Sequence, residues 1–227
     1  MPSKLPEPEE PVRGDRKFRK YFLGPAVRIY VGSEAQEFCI HETYARMYSA
    51  FIDKALSGPW KEATERKIHL PADEPEIFVL FLCWLYGGTI ATENYEEGKR
   101  VVDVEYMELA KAYVLGDKLM STGFCNSVID AICEKLDQET NCDNPMSAKL
   151  PGRDVIQFIY ENTLVDAPIR KLMVDIWWNH MKSRSLAEKT DIALPQPFAV
   201  DLAIAGLDRR GESSSVLVKS RGYYSPV

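Results

Sequence analysis

The sequence predicts an α+β fold: a small β-sheet flanked by a cluster of helices, with a C-terminal helical extension. Three observations carry this. Apolar residues alternate with polar ones in Val27–Val31, in the pair Phe38 and Ile40, and in Ile68-His69-Leu70, as in half-buried strands. Elsewhere the apolar period is three to four, the mark of amphipathic helices, and most of these follow the strands rather than alternating with them. That order separates α+β from a doubly wound sheet. Finally, Ile77 to Tyr86 is an unbroken run of ten apolar residues. A bilayer span needs roughly 20, so the run reads as a central helix buried on every side.

The elements follow in order. Gly24-Pro25 turns the chain into the first strand, where Val27, Ile29 and Val31 share one face and Arg28 and Tyr30 the other. Gly32-Ser33 turns it back into a second strand, antiparallel and adjacent. Tyr44, Met47, Tyr48, Phe51, Ile52, Ala55 and Leu56 predict one helix, which Gly58-Pro59 ends, projecting Trp60 onto a loop. Pro71 closes the third strand. Asp73 and Glu74 before Pro75 supply acceptors and a fixed backbone angle at the start of the central helix, and Gly87-Gly88 stops it.

After a polar linker, Thr92 to Arg100, helices are predicted over Val104–Met120 and Phe124–Leu136. Asn141–Pro151 is turn-rich. Asp154 is placed to cap a helix with Val155, Phe158 and Ile159 inward, and Pro168 to open the next, Ile169 to about His180. This pair is too small to hold its own core and is expected to pack on the first domain.

The organisation read from the sequence is a disordered leader over 1–20, a domain over 21–140, a packed helical extension over 150–185, and a mostly disordered tail over 186–227 with a short docking helix at Val200–Leu207. A net charge of −6 makes nucleic acid an unlikely partner despite the basic cluster Arg13, Arg16, Lys17, Arg19 and Lys20, which stands beside Glu7, Glu9 and Glu10. Five cysteines, at 39, 83, 125, 133 and 142, form no CxxC pair and argue against a disulfide framework and a zinc site. With no apolar leader either, the expected compartment is cytoplasm or nucleus, without membrane attachment, cofactor or metal.

Candidate chemistry is sparse. Cys39 and His41 share one side of a strand, but ladder neighbours are the commoner reading of such a pair. Asp73, Glu74 and Glu76 fit a helix N-terminus better than a paired-carboxylate site. His69 and His180 have no ligand-spaced partners, and Gly87-Gly88-Thr89 lacks the lysine of a phosphate loop. The expectation is no enzyme activity; the rival from another class is a thiol-dependent enzyme using Cys39 or Cys125.

The string I-x-L-P-x-D-x-P-x-x-F from Ile68 to Phe78, followed by Trp84-Leu85-Tyr86-Gly87-Gly88, resembles the centre of a BTB/POZ domain. Val27–Gly32, Glu37–His41 and Ser49–Ile52 resemble that family's opening strand ending in Val-Gly, its strand running into a histidine, and its serine-bearing helix. The likeness extends over about 65 residues, and Asp154–Met181 is similar to the variant of many fungal BTB proteins. The resemblance implies a protein–protein interaction module, a scaffold or adaptor that includes cullin-type ubiquitin-ligase adaptors. It implies that Trp60 and Glu62, the apolar-x-Glu triplet, contact a cullin, and that His41 is structural.

The alternative is a cullin-independent homo-oligomeric organiser or transcription-associated scaffold. Family members dimerise through an N-terminal helix and the helix holding Ser49. Tyr44, Met47, Tyr48 and Phe51 offer more apolar surface here than one core side needs, so a homodimer through them is expected. The chain departs from the family at Ala26, Glu42, Ala45 and Ala50; the first two speak against a corepressor-type charged pocket, and Ala45 leaves space at a core position. Any substrate reader is expected in residues 150–227.

Overall fold

The structure is a computed structural model and describes residues 16–92, 102–140, 150–180, 194–209 and 220–224. A 3-10 helix, Arg16–Phe22, leads into β1 (Ala26–Val31) and β2 (Gln36–His41). Helices α1 (Glu42–Tyr48), α2 (Ala50–Ser57) and α3 (Lys61–Glu65) precede β3 (Lys67–Leu70) and α4 (Pro75–Gly87). Then come α5 (Val102–Lys118), α6 (Thr122–Thr140), α7 (Arg153–Asn162), α8 (Pro168–His180) and α9 (Gln196–Asp208), and a second 3-10 turn, Ser220–Tyr223. The fold is α+β, with a three-stranded sheet among helices.

The sheet order is β2-β1-β3. β1 pairs antiparallel with β2, Ile29 opposite Phe38, and parallel with β3, Ile29 opposite Ile68. Val27, Ile29 and Val31 are fully buried, so the alternation read from β1 sets the sheet's inner face. Ile40, Ile68 and Leu70 join them, and α4 packs there through Phe78, whose ring lies 5.0 Å from that of Phe38. One apolar cluster runs from the sheet through α5 and α6 into α7 and α8, so the extension packs on the first domain.

Several local expectations are corrected. The single helix over Tyr44–Leu56 is two, because Ser49 has extended backbone (φ −136°, ψ 108°). Its Oγ accepts from the Ile52 N–H at 3.1 Å to cap α2 and donates to the Leu119 carbonyl at 2.7 Å. A buried serine with a backbone acceptor from a distant turn outcompetes helix continuation here.

Helix α4 is not buried on every side. Ile77, Phe78, Leu80, Phe81 and Leu85 face inward, but Val79 is 40% and Tyr86 43% exposed, with Cys83 half-buried between them. Its acids do not cap it by side chain; Glu74 pairs with Lys111 at 2.7 Å and Asp73 with Lys118 at 2.5 Å, both on α5. The anticipated stop does hold, since Gly88 (φ +75°) returns its N–H to the Trp84 carbonyl at 2.8 Å. On α7 the cap is Gly152, and Asp154 sits in the first turn.

The two ends also differ from expectation. Residues 1–15 lie outside the described residues, but 16–20 belong to a 3-10 helix that ends in Phe22. In the tail, the docking helix exists and is longer than expected, Gln196–Asp208, with Phe198 fully buried between Tyr160 and Trp177. Ser220–Tyr224 is seated on α6 and α8. The remaining tail residues (186–193, 210–219, 225–227), the linker stretch 93–100 and the boundary stretch 141–149 lie outside the described residues.

Candidate functional site: an apolar face and an exposed tryptophan

The first group of candidate residues stands where the 3-10 helix, α1 and the end of α4 meet. Tyr44 is half-buried, with its ring stacked on Tyr86 (5.5 Å) and near Phe22 (5.4 Å) and Tyr48 (5.1 Å). Tyr48 continues edge-on to Trp84 at 5.5 Å, whose indole N–H donates to Ser127 at 2.8 Å. This connected set of rings is anchored in the core at one end and open to solvent at the other. Phe22 is 46%, Leu23 75% and Met47 46% exposed beside it. Phe51, expected on the same helix face, lies on α2 beyond the Ser49 break and is half-buried.

The surface joins the uncovered side of α4. Residues 79, 83 and 86 recur at helical spacing and lie one above another, and Tyr86 carries the row to Phe22 at 6.4 Å. The Tyr86 hydroxyl accepts from the His41 backbone N–H at 3.2 Å and lies 3.1 Å from its Nδ1. His41 thereby ties the end of β2 to the end of α4 through its backbone N–H and Nδ1. Burial raises the Tyr44 phenol above its ordinary value, with Tyr48 adding to the shift, so its hydroxyl stays protonated.

The second group lies on the far side of α2. Trp60 caps α3 through its backbone and is 61% exposed, its ring lying over Gly58. A side chain at Gly58 would meet the indole within 2.3 Å, so the glycine gives the ring its seat. Glu62, in the first turn of α3, is half-buried and has no hydrogen-bond or ion-pair partner among the described residues. The loop expected for Trp60 is thus the start of a short helix, and the two residues share one turn.

Glu42 shows what sequence reasoning missed. A departure from the resembled family at a charged pocket, it is buried here, with its Oε1 accepting from Arg46 at 3.1 Å and from Arg66 at 2.6 Å. Arg46 also grips Asp53 (2.7 Å) and Ser57 (2.6 Å), so the network splints α1 to α2 across the Ser49 break. An i, i+4 Glu-Arg pair at 42 and 46 was the available signal. Ala45, expected to leave space, is fully buried.

Among the described residues, no thiol is hydrogen-bonded to a base. Cys39 is exposed on the edge strand. Cys125 and Cys133 are buried, and burial together with nearby aspartates pushes each thiol up to about 12. Two clefts were not anticipated. One, of about 550 Å³, is lined by Thr92, Glu105, Ser127, Asp130 and Lys135 among others; the other, of about 470 Å³, lies between α4, α5 and α7. Among the described residues no three His, Cys, Asp or Glu side chains are disposed to hold a metal, and no helix is long and apolar enough to cross a membrane. No family model matches the chain, and no curated protein matches its sequence.

Proposed function

We propose that the chain is a BTB/POZ protein-interaction module: a scaffold or adaptor that self-associates through one face, docks a protein partner through another, and catalyses no reaction. The observation that carries the reading is the uncovered apolar surface of Val79, Cys83 and Tyr86 on α4, continued by Phe22, Leu23 and Met47. Contiguous apolar patches of this kind mark interaction sites. A helix whose ten-residue apolar run is left open on one side is half of a core that a second chain completes. The strand hairpin, the buried Ser49 and the third strand leading into α4 stand in the order that the BTB/POZ resemblance implies, which supports the family reading.

Self-association runs through Tyr44, Met47 and Tyr48 with the α4 stripe; Phe51 lies at its margin. Light scattering at micromolar concentration tests this. The expected species has twice the 25.8 kDa chain mass, and Met47→Glu, which places a charge on an apolar interface, returns the monomer with an unchanged melting curve. A wild-type chain that stays at the monomer mass overturns the self-association reading.

A cullin as the second partner is favoured by one specific observation, the exposed indole of Trp60 in the same turn as Glu62, which has no partner among the described residues. Aromatic anchors flanked by polar rims make binding hot spots. A wild-type chain that retains no cullin from lysate transfers the reading to the cullin-independent homo-oligomeric organiser or transcription-associated scaffold. The expected setting is cytoplasm or nucleus.

A further inference from the structure

The Ser220–Tyr224 segment is joined to Arg209, the residue capping α9, by ten residues, 210–219, and is seated across two helices. The Tyr223 hydroxyl donates to Asp175 Oδ2 on α8 at 2.5 Å. The Tyr224 hydroxyl meets both carboxylate oxygens of Asp130 on α6, at 2.6 and 2.7 Å. Neighbouring side chains diverge, so each phenol reaches a different helix. Tyr223 packs against the core, and burial with the Asp175 bond raises its pKa, which keeps it a donor. Arg209 holds Asp175 from the other side at 2.5 Å.

The receiving surface is therefore built as two carboxylate acceptors spaced for two phenols. It rewards a hydroxyl that phenylalanine lacks, and at Tyr224 it repels a phosphotyrosine, whose phosphate adds about −1.5 to −2 charge beside the Asp130 carboxylate; at Tyr223 the Arg209 cation offsets part of the Asp175 charge. Ten residues span up to about 36 Å when extended, so the segment can reach a neighbouring molecule as well as its own.

We propose that the α6/α8 surface is a docking site for an unphosphorylated tandem-tyrosine segment, filled by Ser220–Tyr224 of the same chain and, on exchange, by that segment of a second copy. The site lies on α6 and α8, apart from the α1/α4 face, so Met47→Glu does not alter it and peptide binding can be read on that variant.

The probe is a fluorescein-labelled peptide Ser-Arg-Gly-Tyr-Tyr-Ser, followed by anisotropy on full chains. Tyr223→Ala/Tyr224→Ala vacates the site; Tyr223→Phe/Tyr224→Phe, which removes only the hydroxyls, serves if the first variant does not melt cooperatively. A tethered competitor acts at roughly millimolar effective concentration. For a peptide of about 100 μM affinity the vacated chain should then bind on the order of tenfold more tightly than wild type. Adding Asp130→Ala and Asp175→Ala should abolish binding, and a doubly phosphorylated peptide should not bind. Energy transfer between the vacated chain and a donor-tailed Asp130→Ala/Asp175→Ala chain, reversed by excess unlabelled peptide, reports exchange between copies. The proposal is overturned by a folded vacated chain that binds no peptide, by equal binding to wild type, by indifference to the aspartates or the phosphates, or by absence of peptide-reversible transfer.

Discussion

Replacing Ser49 by alanine tests whether one buried hydroxyl sets the junction on which the apolar face depends. The side chain is fully buried and makes two bonds, accepting from the Ile52 N–H and donating to the Leu119 carbonyl. Loss of a serine cap costs about 1 kcal/mol. The Leu119 carbonyl is not orphaned, because the Phe51 N–H reaches it at 3.3 Å. The second loss is therefore that of an ordinary hydrogen bond, about 1 kcal/mol, rather than a full desolvation penalty. The sum, about 2 kcal/mol, corresponds to a fall in Tm of about 4–8 °C for a chain of this size. Urea denaturation read by circular dichroism should show a lower midpoint at unchanged m. Ser33→Ala, in an exposed turn with only a 3.5 Å contact to Glu34, supplies the control and should stay within about 0.5 kcal/mol. A Ser49→Ala shift no larger than the control would mean that Ser49 does not hold the α1–α2 break.

Trp60→Ala should leave Tm nearly unchanged, since the ring is mostly in solvent, while weakening retention of a cullin by about thirtyfold, as loss of about 2 kcal/mol requires; a large fall in Tm in unfolding scans would make the ring structural. Alkylation of the native chain with iodoacetamide at pH 8, followed by peptide mass mapping, should modify exposed Cys39 early and spare Cys125 and Cys133 until the chain unfolds, and a hyper-reactive thiol would instead favour the thiol-enzyme rival. Those two thiols also set an alkaline limit. Their folded pKa values are raised from 9.0 to about 12, so the unfolded chain loses protons first and stability, full below pH about 9, should fall as pH rises toward 12. Urea midpoints flat from pH 8 to 11 would contradict the burial of both.

Where the sequence carried a period, the element was legible. Val27, Ile29 and Val31 alternate because one face of β1 is water-free and the other is not, and that asymmetry is written into residue type. Phe124, Val128, Ile129, Ile132 and Leu136 on α6 follow the same logic at a period of 3.6, as do Leu109, Ala110 and Tyr113 on α5, whereas Val104 and Met120 are exposed; Gly87-Gly88 marked a stop because a left-handed residue closes the helix. Trp60 stood out by its place after Gly58-Pro59.

Other features had no local signal. Ser49 reads as an unremarkable residue within a continuous apolar period, and only the Leu119 carbonyl, brought in from 70 positions away, makes a break there favourable. The α7–α9 packing rests on pairs such as Tyr160 and Asp201, or Asp175 and Arg209, that are polar in sequence and meet only through the fold. The ten-residue apolar run determined by itself that α4 would be a central helix. It could not determine that Val79 and Tyr86 would remain uncovered, because burial is a property of what packs alongside, and the elements that pack on α4 cover only part of its circumference.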